Sequence, residues 1–91
     1  MLLIVGGDVI ENLIDKLKNI GFESIEHVSG RNNYTTIVHS KVNYIIILTD
    51  YVNHNLEEDV KKQAKKRNIP FLCSRHSWSC IYKKMQRRNI I

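Results

Sequence analysis

Tyr44-Ile45-Ile46-Ile47-Leu48 is an unbroken apolar run that passes directly into Thr49-Asp50-Tyr51-Val52-Asn53-His54-Asn55. A run this short, with three β-branched residues, reads as a strand buried on both faces. Such a strand needs helices on both sides, which is the arrangement of a parallel α/β sheet. The hydrogen-bonding side chains that follow fall where open parallel sheets bind ligands, outside the carboxyl ends of the strands and beside helix N-termini.

The rest of the chain repeats this alternation. Leu2-Leu3-Ile4-Val5 is a first strand stopped by Gly6-Gly7. Asp8 with Glu11 has the spacing of a capping box. Val9, Ile10, Leu13, Ile14, Leu17 and Ile20 then recur at helical spacing, and Gly21 stands where a C-terminal glycine belongs. Phe22 to Val28 reads as a second strand with Ile25 and Val28 inward, and Ser29-Gly30-Arg31-Asn32-Asn33 as a turn. Tyr34 to Lys41 fits either a short helix or an irregular crossover. After the third strand a helix starts near Asn53 or Asn55, buries Leu56, Val60 and Ala64, and is closed by Asn68. Pro70 opens a fourth strand, Phe71-Leu72-Cys73, as a proline can. Ser74 to Ser77 turn the chain into a last helix with Trp78, Ile81, Tyr82 and Met85 on one face. The expected fold is a three-layer Rossmann-like or flavodoxin-like α/β domain over residues 1–91, its four-stranded parallel sheet ordered 2-1-3-4.

Ninety-one residues leave room for one core, and a hydrophobic fraction of 43% is enough to build it. A domain this small gains from burying more surface in a homo-oligomer, most simply a homodimer. No stretch approaches the roughly 20 apolar residues that span a bilayer, and the start lacks the basic leader and cleavage site of a signal peptide. Cys73 and Cys80 fit neither a redox pair nor a zinc knuckle, so reduced thiols in a cytoplasmic protein are expected. The net charge of +5 is concentrated in Lys61, Lys62, Lys65, Lys66 and Arg67, and in Lys83, Lys84, Arg87 and Arg88. These runs could draw nucleic acid, but no aromatic residue is interleaved among them, and solvated faces at helix C-termini account for them more simply.

Four loops should converge at the carboxyl edge of such a sheet. Gly6-Gly7 permits close backbone approach to an anion, yet lacks GxGxxG spacing and a P-loop ending, and a tight turn explains it equally well. Asp8 at the helix start opposes a phosphate held directly there. His54, in the company of Asp50, Tyr51, Asn53 and Asn55, could bind a ligand phosphate, carry a proton or ligate a metal or haem iron; otherwise it simply packs near the helix start. Zinc would need further ligands, and no helix-spaced histidine partner supplies them. Ser74, Arg75 and Ser77 form the best anion-binding turn, with Arg31 as a second cation; the plain alternative is a serine cap with Arg75 in solvent. Trp78 shares the helical spacing of Ile81 and Tyr82, which favours the core over a stacking role. No GxSxG elbow appears, and neither cysteine has a histidine–acid arrangement around it.

Leu-Ile-Val-Gly-Gly at the start, His27-Val28-Ser29-Gly30-Arg31, Leu48-Thr49-Asp50-Tyr51-Val52-Asn53-His54-Asn55 and Ser74-Arg75-His76-Ser77-Trp78-Ser79 together resemble the bacterial family called domain of unknown function 2325. The resemblance covers nearly the whole chain and implies a compact Rossmann-like domain in a bacterium or one of its mobile elements, such as a phage. Many relatives carry Ser-His where this sequence has Asn53-His54, and His-His-Asp-Gly-Gly where it has Glu26-His27-Val28-Ser29-Gly30. His27 and Gly30 remain in that stretch and the aspartate does not.

The expected function is non-catalytic binding of a small anionic ligand, such as a nucleotide or a nucleotide-derived signal. Gly6, Gly7, Arg31, Thr49, Asp50, Asn53, His54, Ser74, Arg75 and Ser77 are the candidate contacts. A haem-binding sensor with His54 as axial ligand, a basic nucleic-acid-binding module and a small phosphate-ester hydrolase, for which no metal set is visible, are the alternatives. No cofactor is required by the sequence.

Overall fold

In the computed structural model, which describes residues 1–30 and 38–88, a strand β1 (Leu2–Val5) leads to helix α1 (Glu11–Asn19) and strand β2 (Ile25–Val28). Strand β3 (Tyr44–Leu48), helix α2 (His54–Lys66), strand β4 (Phe71–Ser74) and helix α3 (Trp78–Arg87) follow. All strand pairs are parallel and the sheet order is β2-β1-β3-β4. This is the expected Rossmann-like architecture and strand order.

The two faces of the sheet explain the apolar runs. Leu2, Ile4, Ile46, Leu48 and Leu72 point to one side, against Leu13 and Leu17 of α1 and Ile81 and Met85 of α3. Leu3, Val5, Ile45 and Ile47 point to the other, against Leu56, Val60 and Ala64 of α2 and against Val38 and Val42. Every residue of β1 and Ile45 to Leu48 of β3 is buried, because both central strands are covered on both faces. The part of the ambiguous Tyr34–Lys41 stretch that is described has no regular structure and packs Val38 beneath α2, where its N–H donates to Gln63 Oε1 at 2.7 Å.

Several local expectations change. α1 begins at Glu11 after Ile10, not at Asp8, and no side chain caps it. Asp8 instead accepts from the Ser29 hydroxyl at 3.3 Å, so the proposed box does not form. Val9, read as a core position, is 75% exposed because it precedes the helix and escapes its periodicity. The second strand is shorter than Phe22 to Val28, and Ile25 and Val28 lean on opposite cores, as residues three apart in a strand must. The signals at Asn53, Gly21 and Asn68 hold, whereas Asn55 lies inside α2 and does not open it. Asn53 caps α2 by accepting from the Asn55 N–H at 2.9 Å. Gly21 (φ 115°) and Asn68 (φ 56°) take left-handed conformations after α1 and α2. Each is followed by a residue whose N–H reaches back to the helix, Phe22 to Leu17 at 3.1 Å and Ile69 to Ala64 at 2.8 Å. Trp78 packs half-buried against the core beside α1 and α3, with Lys16 Nζ 5.9 Å from its ring centroid.

Candidate functional site

β1 and β3 are adjacent in the sheet while α1 and α2 leave on opposite faces, so the chain parts at their carboxyl ends. A crevice of about 350 Å³ opens there, lined by Gly7, Asp8, Val9, Gly30, Tyr51 and His76.

Backbone hydrogen bonds hold its floor. Gly7 N–H donates to the Tyr51 carbonyl at 2.7 Å, Gly30 N–H to the Gly7 carbonyl at 3.0 Å, and Asn53 N–H to the Gly30 carbonyl at 2.8 Å. Gly6 N–H donates to the Val28 carbonyl at 2.9 Å. The two glycine amides are therefore occupied by protein carbonyls, and Gly6-Gly7 works as a turn rather than an anion cradle. The tightest approach is at Gly30, where a Cβ would collide with the Tyr51 carbonyl group and come within 3.1 Å of the Gly7 nitrogen. His27 Nε2 lies 2.8 Å from the Gly6 carbonyl oxygen and secures the same turn from β2. His27 and Gly30 thus each have a structural task that does not need an aspartate between them.

The polar residues after β3 are divided between structure and solvent. Thr49 donates through both N–H (2.9 Å) and hydroxyl (3.3 Å) to the Ser74 carbonyl. An Asp50 carboxylate oxygen accepts from the His76 N–H at 2.8 Å, which fixes the turn between β4 and α3. Asn53 caps α2. His54 opens α2, exposed and outside the crevice lining. Ser74 is buried, its hydroxyl 3.1 Å from the Arg75 carbonyl, and the Ser77 hydroxyl lies 3.2 Å from that of Ser79. Arg75 is exposed. Arg31 lies outside the described residues.

Of the candidate contacts among the described residues, then, only Gly7 lines the crevice; most of the others tie together the loops that form it. Asp8, Val9, Gly30, Tyr51 and His76 also line it and were not among the candidate contacts, although all but Val9 lie in loops expected at the carboxyl edge. Tyr51 and His76 meet edge to face, ring centroids 5.8 Å apart and planes at 89°. Val9 and Tyr51 are the exposed large hydrophobic residues among those described, and both stand on this crevice. The available signal was an aromatic and a β-branched residue in polar loops, outside any apolar periodicity. Among the described residues, no three His, Cys, Asp or Glu side chains gather as a metal site would require.

A small Rossmann-like domain with a crevice at its switch point is the class that fold and site define. The family model described as "Uncharacterized protein conserved in bacteria (DUF2325)" matches residues 1–88, and the chain belongs to that family. Comparison with curated proteins finds no match, and comparison with solved structures finds none either. No helix among the described residues is long and apolar enough to cross a membrane.

Proposed function

We propose that this chain is a non-catalytic module that binds a small anionic ligand, a nucleotide or nucleotide-derived signal, in the switch-point crevice. The observation that carries this reading is the meeting of Val9 (75% exposed) and Tyr51 (60% exposed) on one concave, glycine-floored surface. Exposed apolar surface gathered in a concavity is what a planar organic ring would cover, and Tyr51 offers it a face at low entropic cost. Asp8, on the α1 side, repels phosphate and suits hydroxyl or amino groups as an acceptor. The anionic end therefore extends the other way, toward the loop that carries His76, Arg75 and Ser77.

Titration calorimetry with adenosine and guanosine mono- and triphosphates tests the reading. Tyr51→Ala and Arg75→Ala should each weaken binding about tenfold, a loss of roughly 1.4 kcal/mol. Affinity unchanged in both variants, or no binding by the unaltered protein, overturns it. The free thiols of Cys73 and Cys80 accord with a bacterial cytoplasmic protein, and the small core with a homodimer, as further parts of the proposal.

A further inference from the structure

We propose that the outer edge of β4 is a binding groove for single-stranded nucleic acid, formed where the basic faces of α2 and α3 meet on either side of that strand. This site is separate from the switch-point crevice and does not depend on the reading given for it.

The two basic runs are far apart in sequence, and the fold brings them together. Among the described residues β4 is an edge strand, paired with β3 alone. Pro70 and Ser74 turn their carbonyls to β3, so by the alternation of a parallel ladder Phe71 and Cys73 turn theirs outward. α3 covers those outward carbonyls. Lys84 Nζ donates to the Cys73 carbonyl at 2.6 Å, and Arg88 Nη1 to the Phe71 carbonyl at 2.6 Å. An ammonium has three donors and a guanidinium five, so each cation is held in place with hydrogen-bonding capacity left over. Part of the entropy of ordering two long side chains is thus lost on folding rather than on binding.

A shallow groove runs along this edge in two continuous parts. One is lined by Lys65 and Asn68 of the α2 end, with Pro70, Phe71 and Arg88; the other by Phe71, Cys73, Lys84, Arg87 and Arg88. Among the described residues, no side-chain carboxylate lines either part. Lys61 is close by, but its ammonium is paired with Glu57 at 2.8 Å and is not counted. Burial pushes the Cys73 thiol up from its usual range, so it adds no negative charge at neutral pH. Phe71 lies half-buried in the middle and lines both parts. The aromatic residue absent from both basic runs is therefore supplied by the strand between them. Cations flanking an aromatic floor, with outward Phe71 and Cys73 N–H groups as further donors, are the elements that hold a backbone and an unpaired base. An acidic protein surface would not use the aromatic face in this way.

Fluorescence anisotropy with a labelled oligothymidylate tests the proposal on the full chain. Four cations (Lys65, Lys84, Arg87 and Arg88) should give a slope of log affinity against log salt of about −3. Lys65→Glu with Arg87→Glu leaves the two cations on the β4 carbonyls in place, and should weaken binding at least about tenfold and flatten that slope. Phe71→Leu should cost about fivefold through lost stacking, with the salt slope unchanged. Lys18→Glu with Lys41→Glu makes the same change in net charge away from β4 and should have little effect. Circular dichroism checks that each variant is folded. The proposal is overturned if the oligonucleotide does not bind at low salt, or if both charge pairs weaken it equally. Binding to phosphatidylserine vesicles without binding to the oligonucleotide overturns it as well.

Discussion

Gly30 couples the crevice to the stability of the molecule through one missing methyl group. Its N–H and carbonyl join the loops after β1 and β3, and a Cβ there would overlap the Tyr51 carbonyl that accepts from Gly7. Gly30→Ala should therefore lower unfolding free energy by about 3 kcal/mol, read as a shift in urea midpoint with little change in slope. A loss within about 0.5 kcal/mol would show that the three loops can part without cost, and that the crevice floor is not fixed. In the sequence Gly30 was visible as a turn residue and as part of the stretch His27 to Arg31 that resembles the family. Its backbone does not take a left-handed conformation; what it requires is space, and that requirement comes from Tyr51, distant in the chain. For the same reason the loop that carries Tyr51 could be read as a wall of the crevice, but Tyr51 itself could not be singled out from its neighbours.

Helix ends were legible where the signal is local and obscure where it depends on packing. Asn53 caps α2 with its own side chain, and Asn53→Ala should cost about 1 kcal/mol by thermal or urea unfolding. The same substitution leaves the crevice lining intact, so loss of ligand binding without loss of stability would assign Asn53 a role at the ligand instead. At α1 the capping pattern of Asp8 and Glu11 was present in sequence and not used. Gly6 and Gly7 both take positive φ (115° and 73°), and with Gly7 bonded to the Tyr51 carbonyl the chain does not enter helical geometry until Glu11. The final helix shows the reverse case. Its basic residues read as a solvated face, whereas Lys84 and Arg88 close the carbonyls of an edge strand, a common defence of a sheet edge against pairing with another chain.

Across the whole molecule, protection should follow the strand order. Amide exchange followed by NMR should be slowest in β1 and β3, which are flanked on both sides, and fast at Phe71 and Cys73, whose N–H groups face outward. Slow exchange at those two amides in purified protein would mean that a second copy covers the β4 edge. The sequence by itself determined the alternation of strands and helices, the parallel sheet and its order, because apolar periodicity, caps and short connections are local and were enough to fix them. It also located the carboxyl edge as the place where polar loops meet. The tertiary structure alone decided which residues face the crevice, since Val9, Tyr51 and His76 come from three separate loops and belong to no common motif. It decided too that the two basic runs flank one strand with Phe71 between them. Contacts between residues distant in the chain are set by packing, and packing leaves no mark in local sequence pattern.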